Sequence, residues 1–492
     1  MASMLRWRRR PRIALQYLAV VFAALSLFLL ALPPDHPIIL SARLATHKFL
    51  SHFPSLYNND KWIFRPSQFP VDMHGDIATI LKTGYGTWNR LPAQLEALGW
   101  ALNETRGQGQ SIMVVGDYSS HFQSDQHDFS VHDMLAAAEG SDALYGMERG
   151  NRLELYHRLN DAIRSGEDDV VHQLNREHGW ELDAMKVSSP PRGAKAKHCD
   201  QRSTNQHVPV VKFIPALERA WKVFPRKKWY LMLDDDTYVI WPSLQLLLGH
   251  LDPSKPLYVG NAVGDYRKRF AHGGSAIVIS GEAMRRLFDH RPDVVRAVYV
   301  DSLTEKWGDR LLAQAFLKLG IYIEERYSRF FNGERPRTTR ITAEKFCAPL
   351  SSFHALARPG QMLEVGEKFR GITTPVFWGQ LWRLYGQPDF RNLRQEDAIS
   401  EGADHVGILD ERVTTKKKVK SPEKCFRHCN HLKSCLAWRW EHETKTCHLA
   451  PWFIIGGENG SLQSGVSSGV HIARAKKLQE KCQRRGVMIS DI

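Results

Sequence analysis

The sequence predicts an α/β protein built on a parallel, doubly wound sheet. An apolar run at residues 77–81 is followed by a helical pattern of leucines over 91–102 and a second apolar run at 112–115. This strand–helix–strand order is typical of parallel strands joined by a covering helix. A later apolar run, residues 229–233, leads directly into three aspartates. Ligands of such sheets bind along the edge where the strands end, so we predict a binding crevice at the triplet.

The composition is that of a globular protein of two or three domains. The chain has 492 residues, 43% of them hydrophobic, which is enough to bury a large core. Much of the net charge of +14 comes from arginines within residues 6–12 and lysines within 416–420. No zinc-finger spacing or aromatic RNA-binding signature accompanies them, so we predict no nucleic-acid partner. The spread basic charge could attract an anionic donor or a membrane surface.

The N-terminal segment predicts a membrane anchor. Residues 13–32 are uncharged, mostly apolar and long enough to cross a bilayer as a helix. Five arginines precede them, which predicts a cytoplasmic tail at 1–12 and a lumenal body. A cleaved signal peptide is the alternative, although the apolar stretch is long for one and no small-residue cleavage site ends it. We therefore predict a single-pass type II protein with a transmembrane signal anchor and a stem at 33–74.

Glycosylation signals and cysteines also indicate a lumenal body. Asn103 and Asn459 each begin an N-glycosylation triplet. Four of the seven cysteines cluster in a segment too short for much core, which suits disulfides in an oxidising compartment. Zinc binding is the alternative, but the spacing of these cysteines matches no common zinc pattern. The four are Cys425, Cys429, Cys435 and Cys447.

The acidic triplet, Asp234, Asp235 and Asp236, indicates a metal site. Three neighbouring carboxylates repel one another unless a cation or a shifted pKa relieves them. A hard divalent metal that in turn binds a phosphate-bearing substrate is the economical explanation. A solvated acidic turn is the alternative, because Asp is also a turn residue.

Four motifs in order resemble a known family. They are the triplet strand at 229–241, the His-Gly-Gly-Ser turn at 272–275, Trp-Gly-Asp at 307–309 and Ser-Phe-His at 352–354. Together they resemble the fringe and core 1 β1,3-galactosyltransferase group, glycosyltransferase family 31, and most of all its fungal membrane-anchored members. The resemblance covers roughly residues 75 to 360. The C-terminal cysteine cluster resembles a PAN/apple module.

The resemblance implies a GT-A (Rossmann-like) domain at 75–394 and a PAN/apple-like module with a tail at 395–492. It implies inverting transfer of a hexose or N-acetylhexosamine from a UDP-sugar to a glycan or glycoprotein, with a β1,3 linkage. Mn²⁺ or another divalent cation would assist, and the catalytic domain would lie in the lumen of the Golgi or ER. The module could bind a glycan or protein partner, or serve only as a structural cap.

The family pattern also assigns roles on the donor side. Asp236 is the expected direct metal ligand and His354 the second, since an imidazole beside carboxylate and phosphate oxygens suits manganese. Asp234 and Asp235 would contact the ribose or the water shell of the metal. A cation bridging both phosphates would neutralise the charge that develops on the leaving UDP.

An inverting transfer also needs a general base for the acceptor hydroxyl. Asp309 is the expected base by its motif position, and Glu305 and Asp301 are the next candidates. The alternative for Asp309 is a helix N-cap, a position that Asp favours.

Four further residues are expected around the nucleotide. Gly273 and Gly274 would let the backbone approach the donor sugar or diphosphate, which a Cβ would obstruct. Thr83 and Asp117 end the first two strands, where the family binds the nucleotide.

The resemblance further implies the disulfides Cys425–Cys447 and Cys429–Cys435. One pair and one free thiol is the simplest arrangement of Cys199, Cys347 and Cys482, but the sequence does not select the pair.

Two other functions fit the sequence less well. The first is a catalytically inactive secretory-pathway scaffold that binds glycans or proteins through the PAN-like module. The second is a metal-dependent phosphohydrolase, which would ordinarily need a second cluster of metal ligands that the sequence does not offer.

Overall fold

The computed structural model describes residues 20–21, 23, 27–51, 60–100, 111–124, 127–144, 151–178, 212–305, 307–396, 399–456 and 465–484. Within these ranges the strands are β1 Ile77–Lys82, β2 Ile112–Gly116, β3 Ser120–Gln123, β4 Asp128–Asp133, β5 Trp229–Asp234, β6 Tyr238–Val239, β7 Tyr258–Gly260, β8 Ala262–Val263, β9 Phe270–Ala271, β10 Ile277–Ser280, β11 Ile341–Thr342, β12 Ser352–Phe353, β13 Ile399–Glu401, β14 Thr414–Lys416, β15 Ala437–Glu441, β16 Thr446–Ala450, β17 Trp452–Phe453 and β18 Val466–Val470.

The α-helices complete the element order. They are α1 Pro37–Ser51, α2 Leu91–Leu98, α3 Met134–Glu139, α4 Asn151–Ser165, α5 Asp168–His178, α6 Phe213–Val223, α7 Trp241–Leu248, α8 Gly281–Phe288, α9 Pro292–Asp301, α10 Gly308–Lys318, α11 Pro359–Phe369, α12 Leu381–Leu384, α13 Pro422–His431 and α14 Ile472–Gln483. The predicted helix after β1 thus ends at Leu98, where Gly99 takes a left-handed φ of 71°.

Among the described residues, the central sheet has seven strands in the order β3-β4-β2-β1-β5-β10-β7. Strand β1 pairs parallel with β2 and β5, as predicted. However, β10 runs antiparallel to both β5 and β7, and β3 runs antiparallel to β4. The sheet is therefore mixed, and the prediction of a parallel sheet is wrong at its edges. Only short loops and the β8–β9 hairpin separate β7 from β10, and without a crossover helix neighbouring strands pair antiparallel.

The sheet is buried on both faces. Along β5, Trp229, Leu231 and Leu233 pack into one hydrophobic cluster, whereas Tyr230 and Met232 pack into the cluster on the other face. Helices α2, α7 and α11 contribute to the first cluster, and α6, α8, α9 and α10 to the second. The acidic triplet thus begins where a fully buried strand ends.

The C-terminal module is a second sheet, with strand order β13-β18-β15-β16-β14. The disulfides Cys425–Cys447 and Cys429–Cys435 lie in its own small core beside Trp438, so both predicted pairings are confirmed. The third disulfide joins Cys347 to Cys482, a pairing that the sequence left open. Cys199 lies outside the described residues.

The two sheets are firmly connected. Strand β11 pairs antiparallel with β17 in a separate two-stranded sheet, so a segment that follows α10 is hydrogen-bonded to a segment of the C-terminal module. Trp452 and Phe453 of that module share a hydrophobic cluster with Phe346 and Trp378. The Cys347–Cys482 disulfide reinforces this contact. The module is therefore packed against the central domain rather than joined to it by a linker alone.

The N-terminal prediction needs correction. In the part of the chain that the structure describes, no helix is long and apolar enough to cross a membrane. The prediction of a transmembrane helix over 13–32 is therefore wrong for the part of the chain that the structure describes. Residues 13–19, 22 and 24–26 lie outside the described residues, as do the predicted tail at 1–12 and both glycosylation triplets.

Candidate functional site

The candidate site lies where β1 and β5 end side by side. The register of these parallel strands sets Lys82 opposite Asp234, the last residue of each strand. The ammonium group of Lys82 lies 2.6 Å from a carboxylate oxygen of Asp234. Thr83 follows Lys82, and the rest of the triplet follows Asp234, so two chain segments enter one cleft.

Asp235 points into the protein. Its carboxylate accepts hydrogen bonds from the hydroxyls of Thr83 at 2.8 Å and Thr87 at 2.5 Å, and from the Arg90 guanidinium at 3.2 Å. Burial raises the pKa of Asp235 to about 6, against the lowering influence of Arg90. Its oxygens thus serve protein donors, which fix the strand end. The expected contact of Asp235 with a ribose or a metal-bound water stays a prediction.

The other two aspartates meet His354. Asp234, Asp236 and His354 each offer a ligand atom, and these atoms lie within 4.8 Å of one another. His354 Nε2 lies 3.2 Å from Asp236 Oδ1. Two carboxylates and one imidazole form a donor set that suits a divalent transition metal such as manganese. The residues present therefore fit the predicted metal. Asp234 belongs to this group, although the sequence predicted that it would contact the ribose or the water shell of the metal.

Local pairing brings His354 to the triplet. Strand β12 pairs antiparallel with β6, with Phe353 opposite Tyr238, so the next residue, His354, returns to the end of β5. Its Nδ1 lies 3.4 Å from the carbonyl oxygen of Gly333, which can only accept a hydrogen bond. This contact favours the tautomer whose Nε2 lone pair points towards Asp236.

The predicted glycine turn lies against His354. A Cβ on Gly274 would stand 2.1 Å from His354 Nε2, so the imidazole occupies space that any other residue would fill. The carbonyl of Gly274 accepts a 2.8 Å hydrogen bond from the Thr237 hydroxyl, which connects the turn to the triplet. Ala276 follows the turn with a φ of 73°, a strained value for a residue other than glycine. The expected contact of Gly273 and Gly274 with the donor stays a prediction.

Asp309 lies on the other side of the same turn. Its Oδ2 accepts a hydrogen bond from the Gly273 backbone N–H at 3.0 Å, and its Oδ1 accepts one from the Arg310 N–H at 2.8 Å. Burial raises the pKa of Asp309 to about 6, while the Gly273 hydrogen bond and the charge of Lys82 oppose the shift. The N-cap of α10 is Trp307, so Asp309 does not occupy the capping position. A buried carboxylate with a pKa near neutrality is suited to proton transfer.

The two alternative bases have other contacts. Glu305 forms an ion pair with Arg310 and accepts a hydrogen bond from Gln314 at 3.1 Å. Asp301 lies half exposed, 3.3 Å from the ammonium of Lys318. Both carboxylates thus contact side chains of α10, whereas that of Asp309 accepts from the glycine turn.

Thr83 and Asp117 also have internal partners. The Thr83 hydroxyl donates to Asp235, as noted above. Asp117 accepts a hydrogen bond from the Tyr85 N–H at 3.0 Å and lies 3.5 Å from the Lys212 ammonium. Burial raises the pKa of Asp117, and Lys212 opposes that shift. Their expected role in nucleotide binding stays a prediction.

The sequence interpretation missed the basic residues that balance the acidic cluster. Lys82, Arg90 and Lys212 are all buried in the same cleft. Lys82 carried a usable signal, because an apolar run that ends in lysine at a ligand edge places a charge there. Arg90 and Lys212 carried no such signal in the sequence, since Asp235 and Asp117, their respective partners, are more than 90 residues away along the chain.

Comparison with known proteins agrees with the motifs. Residues 191–305 match the Fringe-like family model, and residues 400–458 match the PAN domain model. The Fringe-like match includes the triplet and the glycine turn, whereas Asp309 and His354 lie beyond it. The resemblance to these two families is confirmed at the level of these segments.

Three relatives show the extent of similarity. The chain is 27% identical over 172 residues to chondroitin sulfate glucuronyltransferase of Homo sapiens, which is 34% of this chain and 22% of that protein. It is 34% identical over 80 residues to glycoprotein-N-acetylgalactosamine 3-beta-galactosyltransferase 1 of Xenopus laevis, 16% of this chain and 22% of that protein. It is 30% identical over 83 residues to chondroitin sulfate synthase 3 of Homo sapiens, 15% of this chain and 9% of that protein. Each match spans less than a quarter of the relative.

Proposed function

We propose that the protein is a metal-dependent inverting glycosyltransferase that uses a UDP-sugar. The observation that carries the proposal is the glycine turn, which contacts the buried carboxylate of Asp309 through Gly273 and the imidazole of His354 through Gly274. Proton transfer and leaving-group binding are the two tasks of such an enzyme. A candidate base and a candidate group of metal ligands on opposite sides of these two glycines fit both tasks.

The acidic triplet and His354 bind the donor. Asp236 and His354 would hold the cation together with Asp234, and Thr83, Asp117 and Asp235 support the nucleotide side. When bound, Mn²⁺ or a similar cation supplies positive charge against the diphosphate of the departing UDP. Lys82, next to Asp234, adds a fixed positive charge at the same edge. Gly274 has no Cβ, which leaves room for the imidazole of His354.

Proton transfer belongs to Asp309. The acceptor hydroxyl gives its proton to the Asp309 carboxylate while its oxygen forms a bond to the anomeric carbon. The bond from that carbon to the diphosphate oxygen breaks, and UDP leaves with the electron pair. Attack from the face opposite to UDP inverts the anomeric configuration. The Gly273 N–H fixes the orientation of the carboxylate during this step.

The acceptor is proposed to be a glycan or glycoprotein, and the linkage β1,3. The name of the Xenopus laevis relative, a 3-beta-galactosyltransferase, supports this linkage. The donor sugar is proposed to be a hexose or N-acetylhexosamine. Three disulfides among the described residues support action in the oxidising lumen of the secretory pathway, such as the Golgi.

The two alternatives gain no support. An inactive scaffold would not need these groups close together, and the proximity of Asp236 to His354 and the contact of Gly273 with Asp309 support the enzyme proposal instead. A two-metal phosphohydrolase would need a second group of ligands, and the described residues form one such group.

A donor panel tests the proposal. The purified protein is incubated with each of several UDP-sugars and a mixed glycan acceptor, and UDP release is measured with Mn²⁺ and after chelation. We expect release with at least one donor, in the presence of the metal only. Absence of metal-dependent release with every donor would contradict the proposal.

A further inference from the structure

A second cavity lies beside the candidate site. Its volume is about 410 Å³, which is within the range of small-ligand sites. None of the residues that line it belongs to the triplet cleft, so its occupant would be a different chemical group from the one at the triplet. The lining residues are Arg335, Pro336, Arg337, Leu356, Arg358, Gly360, Gln361, Glu364, Val365 and Tyr385.

The cavity wall begins next to the candidate metal ligands Asp236 and His354. Leu356 lines the cavity, and its backbone N–H donates to the carbonyl oxygen of Asp236 at 3.1 Å. Only Ala355 separates Leu356 from His354, and its φ of 63° is strained for a residue other than glycine. Such strain persists where the surrounding structure fixes the backbone, so the turn holds the cavity in one position relative to His354.

The lining is basic. Three guanidinium groups face one carboxylate among the residues that form the wall. Arg337 is held in place by Glu364, 3.6 Å away, and by the ring of Tyr385, 5.1 Å away. The first turn of α11, at Gly360 and Gln361, adds the positive end of a helix dipole.

We propose that this cavity is a subsite for an anionic sugar of the acceptor, one that carries a carboxylate, sulfate or phosphate group. Arginine is suited to such a group because its planar guanidinium can form two parallel hydrogen bonds with it. Gln361 can accept from and donate to the sugar hydroxyls. The inference rests on the proposed function, which it extends by naming an acidic glycan as the acceptor.

Binding of sugar pairs that differ in one charged group tests the proposal. Dissociation constants of the full chain are measured by calorimetry or ligand-observed NMR, without donor or metal, at about 0.15 M salt to screen unspecific attraction. The probes are methyl glucuronide, galactose 6-sulfate and galactose 6-phosphate, each beside its neutral sugar. Inorganic phosphate and inorganic sulfate are measured in parallel.

We expect at least one acidic sugar to bind about tenfold or more tightly than its neutral counterpart, the scale of one charge-assisted hydrogen bond. Arg335→Gln and Arg358→Gln should each remove most of that preference, and Arg358→Lys should retain part of it. Arg296→Gln, on the exposed surface of α9, is the matched control and should retain all of it.

Three results would overturn the proposal: equal affinity for acidic and neutral sugars, a preference that survives both glutamine variants, or inorganic anions that bind as tightly as the sugars. Metal-dependent UDP binding is measured on the same samples. If UDP binding fails while acidic sugars still bind, the proposed function is wrong and the subsite remains. If UDP binds but the sugars are not distinguished, the subsite alone is wrong.

Discussion

The backbone N–H of Gly273 donates a hydrogen bond to Oδ2 of Asp309 at 3.0 Å. The next residue, Gly274, leaves the space that the imidazole of His354 fills. One short turn therefore fixes the candidate base relative to the candidate metal ligand. Changes on either side of the turn should separate the two tasks of the site.

Replacement of Gly274 tests the donor side. In Gly274→Ala the added Cβ would stand 2.1 Å from His354 Nε2, so the imidazole must leave its present position beside Asp236. We expect metal-dependent UDP affinity to fall by about tenfold to a hundredfold, the loss seen when a metal ligand is disturbed. Calorimetric titration of UDP with Mn²⁺ measures it. Gly371→Ala, where nothing lies within 4 Å of the new Cβ, is the control and should bind normally.

Replacement of Asp309 tests the base. Asp309→Asn keeps the shape but cannot take a proton, so we expect transfer to fall by about 10²–10⁴-fold. UDP binding should persist, because the acidic cluster is not changed. Asp301→Asn, which alters a half-exposed carboxylate nearby, should remain active. The reverse pattern, an active Asp309→Asn and an inactive Asp301→Asn, would move the role of base to Asp301.

The pH dependence of catalysis follows from the same group. Because burial raises the pKa of Asp309 to about 6, most of this carboxyl group is protonated below that pH and ionised above it. We expect kcat/KM to increase with pH up to an apparent pKa near 6 and then to level off. A profile that stays flat down to pH 4.5, with the protein folded, would contradict a base of this pKa.

The contribution of Asp309 to the stability of the fold should decrease with increasing pH, whereas kcat/KM increases. A raised folded-state pKa means that the native protein binds more protons than the unfolded chain between about pH 4 and 6, so this contribution stabilises the fold at low pH. The contribution is lost as the pH rises through about 6. Asp309→Asn lacks it, and should therefore gain stability relative to the wild type when the pH is raised from 4 to 7. Melting temperatures at the two pH values measure the difference.

The C-terminal module should support the metal ligand. Arg340 lies 2.8 Å from Asp410 of the module and donates to Glu334 at 2.5 Å, while the Glu334 carbonyl accepts from the His354 N–H at 3.3 Å. We expect Arg340→Met to weaken metal-dependent UDP binding severalfold and to lower stability by about 1–2 kcal/mol. Arg291→Met removes an exposed ion pair with Asp293 and should change neither property measurably.

Local patterns predicted the centre of the fold well. The runs of residues that form β1, β2 and β5 are apolar throughout because these strands are buried on both faces of the sheet. Each could therefore be predicted as a strand from its own residues alone. The same holds for the triplet, which had to lie at the end of a buried strand. Ordered motifs predicted Asp309 and His354 as site residues; their roles stay predictions, and the structure brings both to one glycine turn.

Contacts between residues far apart in the chain could not be predicted from the sequence. The inward orientation of Asp235 depends on Thr87 and Arg90, which come to it only through the pairing of β1 with β5. The antiparallel edge at β10 depends on loop lengths rather than on strand composition. The Cys347–Cys482 disulfide spans 135 residues, and cysteine counting cannot select such a pair. In the N-terminal segment, apolar composition predicted a spanning helix that the described residues do not form.

We propose above that Asp236 and His354 hold a cation for the diphosphate of a sugar nucleotide. Titration of UDP into the wild type, Asp236→Asn and His354→Gln, each with Mn²⁺ and after chelation, tests it most directly. We expect Mn²⁺ to strengthen UDP binding at least tenfold in the wild type, on the scale of one charge-assisted contact, and either substitution to remove the gain. Equal UDP affinity of the wild type with and without Mn²⁺ would contradict it.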